Sequence, residues 1–128
     1  MWWKILIALL VFELAWEAAW PVFGVPQTTP WTVAESVEQN RPPVILDVRT
    51  EAEYRWFHAP GALNRPFPLD VEKLNVPKDA KVVVACMTGH RSPIAAKRLQ
   101  KAGYENVSNL VWGMIGYRLF GGPIEKGL

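Results

Sequence analysis

The stretch Val82-Val83-Val84-Ala85-Cys86-Met87-Thr88-Gly89-His90-Arg91-Ser92-Pro93 carries the strongest fold signal in this sequence. It begins with the most β-branched run in the chain, which favours a buried strand. Ser92-Pro93 then has the residue types that begin a helix, with proline in the first turn. The stretch therefore predicts a strand, a short loop and a helix. The single cysteine, Cys86, follows the strand at its carboxyl end.

The residues on either side of this stretch alternate between short apolar runs and helical patterns. The continuous apolar run 44–46 is typical of a buried parallel strand. This alternation predicts a three-layer α/β fold, with a central, mainly parallel sheet of about five short strands flanked by helices. In such folds ligands bind outside the carboxyl ends of the strands. Cys86 lies at that end of the most apolar strand.

Residues 1–24 have the layout of a targeting segment. Lys4 precedes the apolar run 5–12, whose length suits a signal peptide better than a membrane span. A longer span would have to include Glu13 and Glu17, which lie one helical turn apart. Three alternatives stay open: a cleaved signal, an uncleaved membrane anchor, or an amphipathic surface helix. We therefore expect an exported domain, either periplasmic or anchored at a membrane and facing away from the cytoplasm.

The rest of the chain divides into three parts. Residues 25–30 contain two prolines and two threonines and are predicted to form an extended linker. Residues 31–120 form the predicted domain, and residues 121–128 form a C-terminal tail. Within the domain, Thr32 and Glu35 have the spacing of a capping box, which predicts a short helix there. A chain of 128 residues is long enough for one domain with one core.

The composition argues against several kinds of function. The net charge is only +2, without the basic stripe that nucleic-acid binders show. A single cysteine allows neither an internal disulfide nor a multi-cysteine metal site. His58 and His90 are the only other strong soft-metal ligands. We therefore expect no nucleic-acid partner and no multi-cysteine metal site.

The surroundings of Cys86 predict a reactive thiol. Backbone N–H groups of the loop can converge on the sulfur, and the following helix directs its positive end to the same point. Arg91, with His90 as a weaker candidate, adds positive charge. Gly89 suits a tight loop because glycine tolerates a positive φ. All of these features favour the thiolate, which is the nucleophilic form of cysteine.

Three motifs in this sequence resemble those of the rhodanese family. Residues 86–91, Cys-Met-Thr-Gly-His-Arg, are similar to the family's active-site loop Cys-x-x-Gly-x-Arg. Residues 47–64 contain Asp-Val-Arg, Glu-Tyr and His-x-x-Gly-Ala-x-Asn in that order, which looks like a second family signature. Residues 107–114 are similar to the family's Asn-Leu-x-Gly-Gly-Met ending. The resemblance runs from Trp31 to Tyr117, nearly the whole predicted domain.

The resemblance implies a sulfurtransferase of the thiosulfate-using type. Cys86 would take the outer sulfur of thiosulfate or another donor, carry it as a persulfide, and pass it to a thiol, to cyanide or to a sulfur-accepting protein. The loop amides would hold the terminal sulfur, and the reaction would need no metal or organic cofactor. The residues expected to form the sulfur-binding loop are Met87, Thr88, Gly89, His90 and Arg91.

Three further residues are expected to support the loop. Asp47 and Arg49 follow the first core strand, so we expect them to brace the loops through hydrogen bonds and ion pairs, with Glu51 or Glu53 as a candidate partner for Arg49. His58 is interpreted as a structural histidine rather than a ligand or base.

Departures from the family pattern bear on the donor. Met87 stands where many thiosulfate-using members carry a basic residue, which indicates a less charged or protein-bound donor. Trp112 replaces the first glycine of the usual pair, and Tyr117 stands where tryptophan is common. We interpret both as packing changes that leave the catalytic loop intact.

Two alternative functions stay open. The first is a Cys-dependent phosphatase or arsenate reductase, whose loops place the arginine one position further on than Arg91. The second is a sulfur-delivery or protein-binding module without its own turnover, because a fold does not fix a function.

Overall fold

The computed structural model describes all 128 residues and contains five helices, five strands and one short 3-10 helix, Val71–Lys73. The helices are α1 (Trp2–Val22), α2 (Pro30–Glu38), α3 (Glu51–Trp56), α4 (Ser92–Lys101) and α5 (Gly113–Leu119). The strands are β1 (Gln27–Thr28), β2 (Val44–Asp47), β3 (Leu63–Asn64), β4 (Lys81–Ala85) and β5 (Asn106–Leu110).

The five strands form one parallel sheet in the order β1-β5-β4-β2-β3. The predicted three-layer α/β fold with a parallel sheet is therefore confirmed. In the register of the two central strands, Asp47 of β2 lies opposite Ala85 of β4. The residues that follow them, Val48 and Cys86, consequently leave the sheet at the same carboxyl edge. This register brings two of the predicted site motifs together.

The core lies on both faces of the sheet. Alternate residues of β4 point to opposite faces, with Val82 and Val84 in one apolar cluster and Val83 and Ala85 in the other. The first cluster is covered by α4, and the second by α2 and α5. Burying an apolar side chain of this size contributes about 1.5–3 kcal/mol, and a one-residue slip would turn every side chain of β4 to the wrong face. The packing therefore fixes the point at which Cys86 emerges.

Residues 25–30 belong to the domain and do not form the predicted linker. Val25 is completely buried, and β1 pairs with β5 so that Gln27 lies opposite Asn109. The backbone N–H of Asn109 donates to the Pro26 carbonyl at 2.9 Å. The two prolines misled the prediction because proline is tolerated at the edge of a sheet, where its missing N–H is not needed.

The predicted C-terminal tail is also attached to the domain. His58 and Glu125 exchange two backbone hydrogen bonds, of 2.9 and 2.8 Å. The Tyr117 hydroxyl donates to the Pro123 carbonyl at 2.6 Å. These contacts hold residues 121–128 against the domain from His58 to the end of α5.

The capping box predicted at Thr32 and Glu35 is wrong. The N-cap of α2 lies three residues earlier, at Thr29, and the helix has proline in its first turn. A capping box forms instead at the start of α3. There the Thr50 hydroxyl accepts from the Glu53 N–H, and the Glu53 carboxylate accepts from the Thr50 N–H. The second box fixes Glu53 beside the loop that follows Cys86.

Candidate active site

Main-chain donors of the loop face the sulfur of Cys86. The backbone N–H of Gly89 donates to Sγ at 3.1 Å, and that of Arg91 lies 3.4 Å from the same atom. Gly89 adopts a φ of +92°, a conformation that glycine takes without strain. Arg91 is also the N-cap of α4, so the positive end of that helix points at the sulfur. The loop thus forms an anion-binding cradle around Cys86.

The sulfur lies at the floor of this cradle rather than on the surface. Cys86 is only 1% exposed and belongs to one of the two apolar clusters. A surface depression of about 850 Å³ is lined by other residues, among them Lys78 and Tyr104. A reacting sulfur atom therefore has to enter between the loop residues, which favours narrow substrates.

A buried polar chain supports the sulfur from below. The Ser92 Oγ atom lies 3.3 Å from Cys86 Sγ and donates a short hydrogen bond to Asn109 Oδ1. The Asn109 amide donates in turn to Gln27 Oε1 at 2.7 Å. Ser92 and Asn109 are both fully buried. Strand β1, the segment predicted to be a linker, thus completes the support of the catalytic cysteine.

The turn before α5 holds the other side of the loop. The backbone N–H of Met114 donates to the Cys86 carbonyl at 2.8 Å, and that of Ile115 donates to the Met87 carbonyl at 3.1 Å. Trp112 and Gly113 have φ values of +60° and +58°. A Cβ atom on Gly113 would lie 2.6 Å from the Met87 carbonyl carbon and oxygen. This close approach holds the carbonyl groups of Cys86 and Met87 pointing away from the sulfur. The N–H groups of Gly89 and Arg91 are therefore free to face it.

Arg91 forms a bidentate ion pair with Glu53. Its Nη1 and Nη2 atoms donate to the two carboxylate oxygens at 2.9 and 3.0 Å. Hydrogen bonding to Arg91 holds the pKa of Glu53 at about 2, and hydrogen bonding to Glu53 raises the pKa of Arg91. The positive charge expected from Arg91 is therefore balanced by a carboxylate, and the side chain braces the loop against α3.

His90 is paired as well, with a residue of α1. Its Nε2 atom lies 2.9 Å from Glu13 Oε2, and its Nδ1 atom lies 2.7 Å from the Thr88 hydroxyl. Trp16 donates from Nε1 to the Gly89 carbonyl at 3.1 Å. Residues 1–24 were left out of the predicted fold, yet the second half of α1 lies directly on the catalytic loop.

Asp47 and Arg49 form a fully buried ion pair beneath the neighbouring loop, with Arg49 Nη2 2.8 Å from Asp47 Oδ2. Arg49 also donates to the Phe57 carbonyl at 2.5 Å. Its partner is thus Asp47 and not Glu51 or Glu53, because Glu51 pairs with Arg55 and Glu53 with the loop arginine. The Nη1 atom of Arg49 is 3.9 Å from the Met87 sulfur, too long for a strong hydrogen bond.

His58 is buried away from the cysteine. Its Nδ1 atom lies 2.8 Å from the Tyr54 carbonyl oxygen, and its ring stacks on the Tyr54 ring at a centroid distance of 3.7 Å. It has no hydrogen bond to the catalytic loop, so its contacts are those of a structural residue. No group of three or more His, Cys, Asp or Glu side chains is arranged to share a metal ion.

Sequence patterns located the loop but missed several residues that hold it. The missing partners are Glu13, Trp16, Glu53, Ser92, Asn109 and Gly113. Asn109 and Gly113 lie within residues 107–114, the third motif that resembles the family. That motif was the only feature of the sequence that pointed to these two residues. Glu13 and Trp16 lie in residues 1–24, whose apolar composition predicted a targeting segment and gave no indication of a contact with the loop.

Fold and site together define an α/β protein in which one cysteine follows a central strand and sits in a cradle of main-chain amides. The rhodanese-like domain model matches residues 30–119, well over half of the chain. The chain therefore belongs to the rhodanese-like domain family.

Similar proteins agree with this assignment. A sulfurtransferase from Allochromatium vinosum is 38% identical over 82 residues, covering 63% of this chain and 77% of the relative. The adenylyltransferase and sulfurtransferase uba4 from Ogataea parapolymorpha is 33% identical over 82 residues, covering 62% of this chain. The crystal structure of the Alr3790 protein from Anabaena sp. has a TM-score of 0.72 at 27% identity, covering 79% of this chain and 93% of that one. The chain spans only 21% of the Ogataea protein's length, which thus contains much more than this domain.

Proposed function

We propose that this protein transfers sulfane sulfur through a persulfide on Cys86. The observation that carries the proposal is the pair of backbone N–H groups, from Gly89 and Arg91, at 3.1 and 3.4 Å from Sγ. Such donors stabilise an anionic sulfur without a metal or an organic cofactor. Sulfurtransferase relatives in the same family support the assignment.

The reaction has two balanced steps. First, the Cys86 thiolate attacks the outer sulfur of the donor. A new S–S bond forms while the donor's own bond to that sulfur breaks, and the donor leaves with the electron pair. Second, a nucleophilic acceptor attacks the outer sulfur of the persulfide, the Cys86 bond to that sulfur breaks, and the thiolate returns. The loop amides hold the negative charge at both stages.

The charges around the loop favour a donor with less charge than thiosulfate. Arg91 is paired with Glu53, and His90 with Glu13. Arg49, the remaining nearby cation, is buried with Asp47. A doubly negative donor would find no unpaired cation at the loop, and Met87 supplies none. We therefore propose a small persulfide or a protein-bound persulfide, whose reacting group carries a single negative charge, as the preferred donor.

The test is a turnover assay that compares the persulfide of 2-mercaptoethanol, which carries a single negative charge, with thiosulfate, using cyanide as the acceptor and thiocyanate as the product. We expect turnover with both donors and a kcat/KM about tenfold higher for the persulfide, which corresponds to about 1.4 kcal/mol of transition-state free energy. Cys86→Ser should abolish both activities. Lys101→Gln, at the far end of α4, is the matched control and should retain them. Turnover that survives in Cys86→Ser would contradict the proposal.

The phosphatase alternative is tested with the wild-type protein and the Cys86→Ser variant. Four residues separate Cys86 from Arg91, which makes a loop that is short for a phosphate group. We expect no hydrolysis of a generic phosphate ester above the Cys86→Ser background. Robust hydrolysis that depends on Cys86 would favour the phosphatase alternative.

We further propose that α1 brings the domain to a membrane outside the cytoplasm. By length and composition this helix of 21 residues is able to cross a membrane. Residues 2–12 are exposed on all sides, and an exposed helix that is apolar all round requires lipid or another protein. The second half packs on the domain, which favours a retained helix over a cleaved signal. Cell fractionation and sequencing of the mature N-terminus test both points.

A further inference from the structure

We propose that Glu13, His90 and Thr88 form a proton relay that activates a thiol as the sulfur acceptor. The proposal rests on the sulfur transfer proposed above and concerns its second step. It assigns a function to Glu13, which lies outside residues 30–119 matched by the family model. It also identifies the acceptor as a thiol, which has to lose a proton before it attacks.

The three side chains form one continuous chain of hydrogen bonds. Glu13 Oε2 lies 2.9 Å from His90 Nε2, and His90 Nδ1 lies 2.7 Å from the Thr88 hydroxyl oxygen. A carboxylate only accepts, so Nε2 carries the imidazole proton and Nδ1 is left to accept from the hydroxyl. A carboxylate, an imidazole and a hydroxyl in this order are the arrangement that removes a proton from a nucleophile.

The relay begins at the only solvent-exposed part of the loop. Of residues 87–91, Thr88 alone is exposed, and the next residue, Gly89, donates its N–H to Sγ. A thiol that approaches the buried sulfur from solvent therefore meets the Thr88 hydroxyl on the rim of the cradle. His90 and Glu13 lie behind it, about one third exposed.

Neighbouring residues of α1 hold the relay in position. Trp16 donates to the Gly89 carbonyl at 3.1 Å, and its ring lies against the His90 ring at a centroid distance of 5.3 Å. Both carboxyl oxygens of Glu17 are buried without a hydrogen-bond partner. Burial, with a smaller effect from the charge of Glu13, raises the pKa of Glu17 to about 7. Glu13 is the carboxylate that bonds to the imidazole, and Glu17 is the second acidic group facing it.

The proton and the sulfur move in a balanced step. The acceptor S–H gives its proton to the Thr88 oxygen while the Thr88 hydroxyl proton passes to His90 Nδ1. The acceptor sulfur, now carrying the electron pair, bonds to the outer sulfur of the persulfide. The bond from that sulfur to Cys86 breaks, and Cys86 leaves as the thiolate. The imidazolium is held by Glu13 and then releases its proton to solvent.

The test compares two acceptors that differ in whether they carry a proton to lose. With inorganic polysulfide as donor, the acceptor is either glutathione or, at mildly alkaline pH, sulfite, which attacks as a deprotonated anion. The measured quantity is the ratio of the two kcat/KM values. We expect Glu13→Gln and Thr88→Val each to lower the thiol-to-sulfite ratio by about tenfold or more, the range of general acid–base catalysis. Thr88→Ser keeps the hydroxyl and should restore the ratio.

Glu38→Gln is the matched control, since this exposed glutamate ends α2 away from the loop and should leave the ratio unchanged. If the wild-type protein transfers sulfur to neither acceptor, the proposed function itself fails. If the wild-type protein is active and all variants keep its ratio, sulfur transfer stands and the relay is overturned. A purely structural effect of the substitutions would lower both rates together, and Thr88→Ser would not restore the ratio selectively. That outcome would also overturn the relay.

Discussion

Cys86 is surrounded by charged side chains that already have partners. Arg91 is bound to Glu53 and His90 to Glu13, at 2.9 Å in both pairs. The backbone N–H groups at the start of α4 have no such competitor and point at Sγ. At the residue scale, main-chain donors are therefore the groups that face the sulfur, while the side chains mainly fix the shape of the loop.

The ion pair between Glu53 and Arg91 predicts an acid-dependent stability. The pKa of Glu53, about 2, lies below its value of about 4.3 in an unfolded chain. Its carboxylate therefore stabilises the fold at neutral pH, and this contribution is lost as the pH falls from about 5 towards 2. We expect Glu53→Gln to lower the free energy of unfolding by about 1 kcal/mol at pH 7, a modest value because both groups are partly exposed.

Urea denaturation across this pH range measures the effect. Glu51→Gln is the control, because Glu51 forms an exposed pair with Arg55 and should change stability by less than about 0.5 kcal/mol. A stability difference between wild type and Glu53→Gln that persists unchanged at the acid end would show that the carboxylate charge is not its cause.

The elements that could be predicted are those with a local pattern. The apolar runs of β2 and β4 and the Ser92-Pro93 start of α4 were identified because burial and helix initiation leave their mark on adjacent residues. Strand β1 was missed because it is two residues long and lies between prolines at the sheet edge. Short edge elements carry too little apolar surface to show a pattern.

The support of the site could not be predicted, because it joins residues far apart in the chain. Ser92 contacts Asn109, and His90 contacts Glu13 across 77 positions. Both contacts depend on the strand order β1-β5-β4, which no periodicity in the sequence specifies. The loop residues were identifiable only because they are contiguous and resemble a family motif.

At Gly113, between β5 and α5, we expect one added methyl group to lower the stability of the fold strongly. Gly113 has a φ of +58°, and a Cβ atom added there would lie 2.6 Å from the Met87 carbonyl. Gly113→Ala would force the turn away from the carbonyls of Cys86 and Met87 and remove the two hydrogen bonds that hold them. We expect a loss of stability of about 3 kcal/mol or more and a matching loss of sulfur transfer.

Thermal unfolding and the thiocyanate assay measure this effect. Gly61→Ala is the matched control, since Gly61 also has a positive φ but has no atom near its added Cβ. It should cost only the backbone strain of about 1 kcal/mol. Equal losses for the two variants would mean that close packing on the cysteine loop is unimportant.

Exposed apolar side chains are unevenly distributed over the surface of the molecule. The first half of α1 exposes a run of large apolar side chains, whereas its second half joins the catalytic loop and α4. Lys97 Nζ donates to the Phe23 carbonyl at 2.9 Å, and the Gln100 amide donates to the Gly24 carbonyl at 2.8 Å. A membrane that binds residues 2–12 would therefore lie on the same side as the catalytic loop.

This arrangement predicts that the intact chain binds lipid. We expect the full-length protein to float with phosphatidylcholine vesicles, and a Leu6→Glu, Leu10→Glu double variant to stay in the soluble fraction. Both leucines are more than half exposed, so the substitution disturbs no core contact. Sulfur transfer should be retained in the variant. Equal flotation of both proteins would contradict lipid binding by this part of α1.

The persulfide itself can be observed by mass spectrometry of the intact protein. After treatment with inorganic polysulfide and removal of excess reagent, we expect a mass gain of one sulfur atom that maps to the peptide containing Cys86. The added sulfur should disappear on exposure to cyanide, and Cys86→Ser should gain none. A folded wild-type protein that takes up no sulfur under these conditions, or takes it up equally without Cys86, would contradict a persulfide held by the loop amides.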